Sequence, residues 1–440
     1  MKITVIGGGS YAWIPALIQG FVCNPFFRGS TLCLMDINAA ALDDTFRLCE
    51  LFNERESRPL KLTKSTNLDE SLADACSVVL AISHGGLEAE LDDHRITRRH
   101  GFYNLKGSEV GIAGCSRTLR HVPEAVRIAR RMEQICPGAM LLNVTNPLTA
   151  CTRAVNKYTS IRSYGFCHGV VNHLRPLLEF IGAQNPSDVE FNVGGIDHCS
   201  WFLNLTYKGR DALEMLRSQG LIEKAKANTL NKTVDDTFAG RENLRLRLIE
   251  WDVLGYLPAI SDEHCVEFMG PIMKDAETRR FYDVTYDRIA ERQEAVHSAR
   301  QHVKRILADE DKLPPLDDSE IIDKFIASLN GHGALIDVMN YPNDGQIPNL
   351  PNESIVESRC RIDASGVHGV HVGPLPPIIE SIVRPVLIRE EPYMEAAMEW
   401  NFEKLRAALA TDPLVNDFRS IDTICRDLLD YNRSFLLPAL

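Results

Sequence analysis

The first dozen residues constrain the fold of this chain more than any other stretch. A short β-branched run, Ile3 to Ile6, ends in Gly7-Gly8-Gly9-Ser10-Tyr11-Ala12, and the apolar spacing then turns helical through Ile14, Leu17, Ile18 and Phe21. A strand that breaks into glycines and restarts as a helix is the phosphate-binding turn of a dinucleotide fold. The glycines let the backbone turn tightly and approach a pyrophosphate, while the helix N-terminus offers unpaired N–H groups and positive potential. A second run, Thr31 to Met35, ends at Asp36, an acid placed to accept hydrogen bonds from a ribose diol. An acid there favours NAD over NADP. A glycine turn without a ligand is the plainer alternative, and Asp36 weighs against it.

Further strands are predicted over Leu60 to Thr63, Val78 to Ile82, Met140 to Val144 and Ser163 to Cys167. Helical patterns at Ala39 to Phe52 and Pro123 to Ile135 separate most of them, and such alternation points to a parallel, doubly wound sheet. After about residue 170 the pattern changes. Val189 to Val193 and Cys199 to Tyr207 read as antiparallel strands, followed by long helical stretches at 229–254 and 276–308. The acidic, proline-bearing segment 309–318 reads as a loop, 340–376 is rich in Pro, Gly and Asn, and 390–433 is helical. The expected division is a Rossmann-type domain over 1–170 and a mixed α/β domain, carrying substrate and metal, over 171–440.

Composition narrows the class of partner. Lys and Arg total 48 against 60 Asp and Glu, a net charge of −12, so a nucleic-acid or anionic-membrane partner is not expected. An anionic small substrate is still allowed, because one cation in a pocket suffices. No stretch approaches the ~18 apolar residues of a membrane span, and the N-terminus lacks the form of a signal peptide. Twelve scattered cysteines never form a C-x-x-C pair, which fits a reducing cytoplasm.

Several motifs carry chemistry. Cys167-His168-Gly169 follows a predicted strand, and Asp197-His198-Cys199 comes later. Thiolate and imidazole both bind borderline divalent metals. On its own, a cysteine at a strand end is usually core and a lone histidine a satisfied polar group. Asn143-Val-Thr-Asn146-Pro147 ends another strand, on the side where open α/β sheets bind ligands, or is a simple Asn-Pro turn. Asp92-Asp93-His94-Arg95 and the Glu109 to Arg120 stretch read as solvated charge runs. Asp262-Glu263-His264 is either a surface turn or a proton-transfer pair.

Taken in this order, the pieces resemble the family four glycoside hydrolases, the NAD- and metal-dependent group. The resemblance extends to Gly85-Gly86-Leu87-Glu88-Ala89, Asn343-Asp-Gly345-Gln-Ile-Pro-Asn349 and Asp412-Pro-Leu-Val415. It implies a lactate/malate dehydrogenase-like fold. It also implies a manganese-type ion on Cys167 and His198, and NAD contacts at Gly7, Gly9, Ser10, Asp36, Ser83 and Asn143. Sugar contacts are implied at Arg95, Glu109, Asn146 and His168. His168 would also assist departure of the leaving group, and Asp262 is the implied base, with Tyr256 and His264 behind it. Arg95 would meet a uronate carboxylate. Cys167-His168-Gly169 is similar to the α-glucuronidase subgroup, with α-galacturonidase as the alternative. The chemistry implied is oxidation at carbon 3, elimination, water addition and re-reduction, an exception to the two-carboxylate scheme. A homodimer or homotetramer is implied as well. A plain NAD-dependent hydroxy-acid dehydrogenase and a non-catalytic sensor are the competing expectations.

Overall fold

In the computed structural model of the chain, six short strands pair in parallel: β1 (Lys2–Ile6), β2 (Thr31–Met35), β3 (Lys61–Ser65), β4 (Ser77–Leu80), β5 (Met140–Asn143) and β6 (Ser163–Gly165). Their spatial order is β3-β2-β1-β4-β5-β6, so the winding direction reverses between β1 and β4. Helices cover both faces, so β1, β2, β4 and β5 are buried along nearly their whole length. The outer strand β3 carries Lys61 and Lys64 and stays exposed, which blunts its free edge. The structure describes residues 1–183, 188–230, 234–236, 240–242, 244–273, 275–284, 288–316, 321–415 and 417–436.

The second half is antiparallel. Its strands are β7 (Val189–Ile196), β8 (Cys199–Tyr207), the short β9 (Arg210–Asp211), a separate hairpin of β10 (Val234–Asp236) and β11 (Gly240–Glu242), then β12 (Leu257–Pro258), β13 (Leu335–Pro342), β14 (Ile355–Asp363) and β15 (Gly366–Gly369). β13 joins β6 through Asn340 opposite Gly165, and the sheet continues as β14-β7-β8-β12. A single thirteen-stranded sheet therefore runs through both halves of the chain. That junction brings the β7–β8 turn to the carboxyl ends of β5 and β6.

Several expectations need correction. The helix expected from Pro123 begins at Gly111, because the polar residues before Pro123 face buried partners instead of water. The charged run after Gly85 is a helix, Gly86–Arg99. Only Arg245–Leu254 of the 229–254 stretch is a described helix, with β10 and β11 before it. Residues 231–233, 237–239 and 243 of that stretch lie outside the described residues. The 276–308 stretch is two helices, Ala276–Phe281 and Arg288–Leu307, with 285–287 outside the described residues. The Pro- and Gly-rich region 340–376 contains β14 and β15, and 390–433 is three helices, Pro377–Glu399, Phe402–Leu409 and Ile421–Asn432. Of the expected loop, residues 309–316 carry no helix or strand, and 317–320 lie outside the described residues.

Candidate metal and cofactor centre

The nucleotide turn is built as its sequence suggests. The backbone N–H groups of Gly7 and Gly8 both donate to the Met35 carbonyl, at 2.9 and 2.8 Å. Gly7 takes φ +94°, and a Cβ there would lie 2.0 Å from the Ala81 carbonyl oxygen, so only glycine fits. A Cβ on Gly9 would meet Asp36 Oδ2 at 2.9 Å. Asp36 sits at the end of β2, accepting from Gly9 N at 2.8 Å with one oxygen and from Asn38 N at 2.8 Å with the other. Ser10 Oγ accepts from Trp13 N at the entry to helix Ile14–Cys23. Ser83 lies past the end of β4, and its carbonyl accepts from Gly86 N. The turn, Asp36 and Ser83 thus line the carboxyl ends of β1, β2 and β4, where the sheet reverses.

Asn143 and Asn146 divide their tasks. Asn143 is fully buried, and its amide donates to the carbonyls of Thr145 and Leu148 and to Thr152 Oγ1 while accepting from Thr145 N. It braces the turn after β5. The Asn146 carbonyl is held by Nδ1–H of His121, a buried residue whose role the sequence did not signal. Burial drives the His121 imidazole well below the usual range, so the ring is neutral.

The ligand cluster forms where β6 ends against the tip of the β7–β8 hairpin. Cys167, Asp197 and His198 bring one ligand atom each to within 4.8 Å of one another. Asp197 and His198 are the two turn residues between Ile196 and Cys199, which pair across the hairpin. His198 takes φ 61°, a left-handed backbone that costs energy in any residue but glycine. A Cβ on Gly195 would lie 2.2 Å from the Cys199 carbonyl oxygen, so the turn can close tightly only over glycine. Asp197 was read only as part of the Asp-His-Cys motif; the structure makes it a full member of the cluster.

The electrostatics of this cluster are those of a cation site. Both oxygens of the fully buried Asp197, and Nδ1 of His198, have no hydrogen-bond partner among the described residues. Glu109 Oε1 stands 4.0 Å from His198 Nδ1 and accepts from Leu148 N at 2.9 Å, while its Oε2 has no hydrogen-bond partner among the described residues. Burial, then the neighbouring Asp197, pushes the Glu109 carboxyl and the Cys167 thiol well up. Behind them Glu357 on β14 accepts from Ser200 Oγ at 2.7 Å and Asn340 Nδ2 at 3.2 Å. Burial and Asp197 raise it to about 8. Asp197 Oδ2 also stands 3.4 Å from His198 Nδ1. Acids and acceptors crowded in this way are the arrangement a divalent cation satisfies, and its charge would reverse the shift at Cys167.

His168, next to Cys167, occupies the position before helix Gly169–Glu179 without a side-chain capping bond to it, and its ring lies 5.5 Å from the Trp13 ring. Two of the expected residues are engaged by other partners. Arg95 is half exposed on helix Gly86–Arg99 and bonded to Asp92 at 2.7 Å and Glu88 at 3.4 Å of that same helix. Asp262 is buried, but its two oxygens accept from the backbone N–H groups of Leu246 and Arg247 at 2.8 and 3.0 Å. It neutralises the start of helix Arg245–Leu254, a structural use of a carboxylate. His264 does reach the cluster, its ring stacked on His198 at 3.9 Å.

Residues 2–181 match the family 4 glycosyl hydrolases, and residues 193–415 match the C-terminal domain of that family. An alpha-galacturonidase from Thermoanaerobacterium saccharolyticum is 28% identical over 455 residues, covering 99% of this chain and 96% of that protein. The solved structure of lplD from Bacillus subtilis superposes with a TM-score of 0.88 at 27% identity, over 97% of this chain and 99% of that one. A 6-phospho-alpha-glucosidase from gut microorganisms, solved in complex with NAD and Mn2+, has a TM-score of 0.84 at 18% identity, over 99% and 98% of the two chains. This chain belongs to family 4 of the glycosyl hydrolases.

Proposed function

We propose that this family 4 hydrolase cleaves α-glycosides of uronic acids, with NAD and a divalent manganese-type ion as resident cofactors. The single observation that carries the reading is the Cys167–Asp197–His198 cluster, with its unbonded carboxylate and imidazole nitrogen. A buried carboxylate without a hydrogen bond is costly unless a cation pairs with it. The glycine turn supports NAD, since its cradle is space a Cβ would fill. The tripeptide Cys167-His168-Gly169 and the galacturonidase relatives both favour a uronide. Those relatives put α-galacturonides ahead of the α-glucuronides that the tripeptide alone suggests.

When bound, NAD supplies reversible hydride removal from sugar carbon 3 and the metal supplies Lewis-acid polarisation of the sugar oxygens. Cys167, Asp197 and His198 would hold the ion, with Glu109 and Asn146 beside it for sugar hydroxyls. Glu357, held by Ser200 and Asn340, would back the cluster from β14. His168, which follows Cys167 and packs on the Trp13 ring, would contact the sugar. A cytoplasmic setting belongs to the same proposal, since all twelve cysteines are free thiols and Cys167 must stay reduced. So does assembly as a homodimer or homotetramer, which light scattering tests.

The deciding experiment offers aryl α-galacturonide and aryl α-glucuronide to the purified protein, with and without NAD, manganese and a thiol reductant. Phenol release and nicotinamide absorbance are followed together. Release that needs all three additions, with no net NADH, is expected. Accumulating NADH without release would replace the proposal with a hydroxy-acid dehydrogenase.

A further inference from the structure

A uronide needs a cation for its carboxylate, and many of the buried cations here are engaged elsewhere. Arg120 forks onto Asp93, Arg117 reaches Glu90, Arg389 donates to the Thr411 carbonyl, and Arg247 donates to the carbonyls of His173 and Pro258. Arg95 is bonded to acids of its own helix.

Lys106 is placed differently. Its side chain is 3% exposed and its ammonium pairs with Glu263, itself 4% exposed. Contacts made by two of its chain neighbours bring this pair near the cluster. Glu263 immediately precedes His264, whose ring stacks on His198. Glu109, on the loop that carries Lys106, lies 4.0 Å from His198. That loop is fixed, because Glu267 Oε1 accepts from Leu105 N, Lys106 N and Asn104 Nδ2 at 2.9, 3.2 and 3.0 Å, and its Oε2 accepts from Gly107 N at 2.9 Å. A loop pinned by four donors to one buried carboxylate presents its lysine with little freedom to withdraw.

We propose that Lys106 is the receptor for the sugar carboxylate, with Glu263 as the partner that holds and competes for its ammonium before the sugar arrives. An ammonium has three donors and no acceptor, so it discriminates a carboxylate from the hydroxymethyl group of a neutral sugar by charge. The inference rests on the uronide reading above.

The test is calorimetric titration of the NAD- and manganese-loaded protein with galacturonate and with galactose. The native protein is expected to prefer galacturonate. Lys106→Met should weaken galacturonate at least ~10-fold and leave galactose within about 3-fold, the scale of one charge-assisted contact. Glu263→Gln should tighten galacturonate by removing the competing anion, whereas a merely structural ion pair would give a loss. Arg95→Ala should change neither. Should Lys106→Met misfold, the Lys106→Met/Glu263→Gln double variant carries neither charge and should lose the preference in the same way. If the folded variants keep the native preference, the Lys106 assignment is overturned and the uronide reading stands. If the native protein binds galactose as tightly as galacturonate, the uronide reading falls and this inference falls with it.

Discussion

Trp13 and His168 lie ring against ring, with centroids 5.5 Å apart and planes tilted by 39°. Trp13 sits at the entry to helix Ile14–Cys23 after the glycine turn, and His168 follows Cys167 of the cluster. The contact thus ties the nucleotide turn to the ligand cluster through side chains, and hydride exchange between two bound groups depends on such fixed separation. An aromatic pair contributes about 0.5–1.5 kcal/mol beyond its buried area. Trp13→Ala is therefore expected to raise the Kd for NAD roughly 2- to 10-fold in calorimetry, with manganese affinity unchanged. An unaltered NAD affinity would mean the glycine turn holds itself.

Asp197 is the group whose removal separates a metal centre from a buried polar cluster. Both its oxygens lack a hydrogen bond among the described residues, with only His198 Nδ1 at 3.4 Å, so a cation that binds there should stabilise the fold. At a hundredfold excess over Kd that linkage is worth about 2.7 kcal/mol. The native protein is expected to melt several degrees higher with manganese and to lose the gain on chelation. Asp197→Asn should show no manganese shift, and its metal-free form should melt no lower than the native metal-free form, because the like-charge crowding with Glu109 is relieved. A manganese shift retained in Asp197→Asn would remove Asp197 from the ligand set.

The legible parts of this site were the local ones. The glycine turn and Asp36 are a strand, a turn and a strand end, and each reads from a few neighbouring residues. Cys167 and His198 were legible one at a time. Their meeting depends on β13 crossing to β6 and on β14 bridging to β7, pairings between residues such as Asn340 and Gly165 that no local pattern encodes. Asp197 was hidden for the same reason. The strand β14 was obscured by the Pro, Gly and Asn that flank it, although its own Ile355 to Ile362 is largely buried. Arg117 and Arg120 misled most, because charge density suggests solvent and says nothing about partners such as Asp93 that arrive on another helix.

That last network gives a stability prediction. Arg120 and Asp93 are fully buried and joined by two hydrogen bonds of 2.8 and 2.6 Å, with Asn432 and the His84 carbonyl completing the guanidinium. Breaking one side of such a pair leaves an uncompensated charge and costs about 3–5 kcal/mol. Asp93→Ala and Arg120→Met should each lower the melting temperature by several degrees. The double variant should lose less than the sum of the two, which a double-mutant cycle in urea measures.

Glu250 predicts how stability changes with pH. It is buried on helix Arg245–Leu254, and burial raises its carboxyl from an ordinary 4.5 to about 8. Between those values the folded chain keeps a proton that the unfolded chain has lost. The contribution is therefore fully present below pH 4.5, declines as pH rises, and is gone above about 8. The interval corresponds to roughly 5 kcal/mol at most. Glu250→Gln should flatten the fall in unfolding free energy between pH 5 and 8.5, without abolishing it, since Glu390 is also raised to about 8. An identical slope in the variant would show that Glu250 is not the group responsible.

Asp262 separates a structural carboxylate from a catalytic one. Its oxygens take the N–H groups of Leu246 and Arg247, donors that the first turn of a helix cannot satisfy internally. A capping carboxylate of this kind is worth about 1–2 kcal/mol. A general base contributes at least a hundredfold to rate. Asp262→Asn keeps one acceptor oxygen, so it should destabilise by about 1 kcal/mol in urea unfolding while kcat stays within a few-fold. His264→Ala, which removes the ring stacked on His198, should instead reduce kcat or metal affinity with little loss of stability. If Asp262→Asn lost two orders of magnitude in kcat with stability intact, the carboxylate would have to leave its helix during turnover. The cap seen here would then be a resting arrangement.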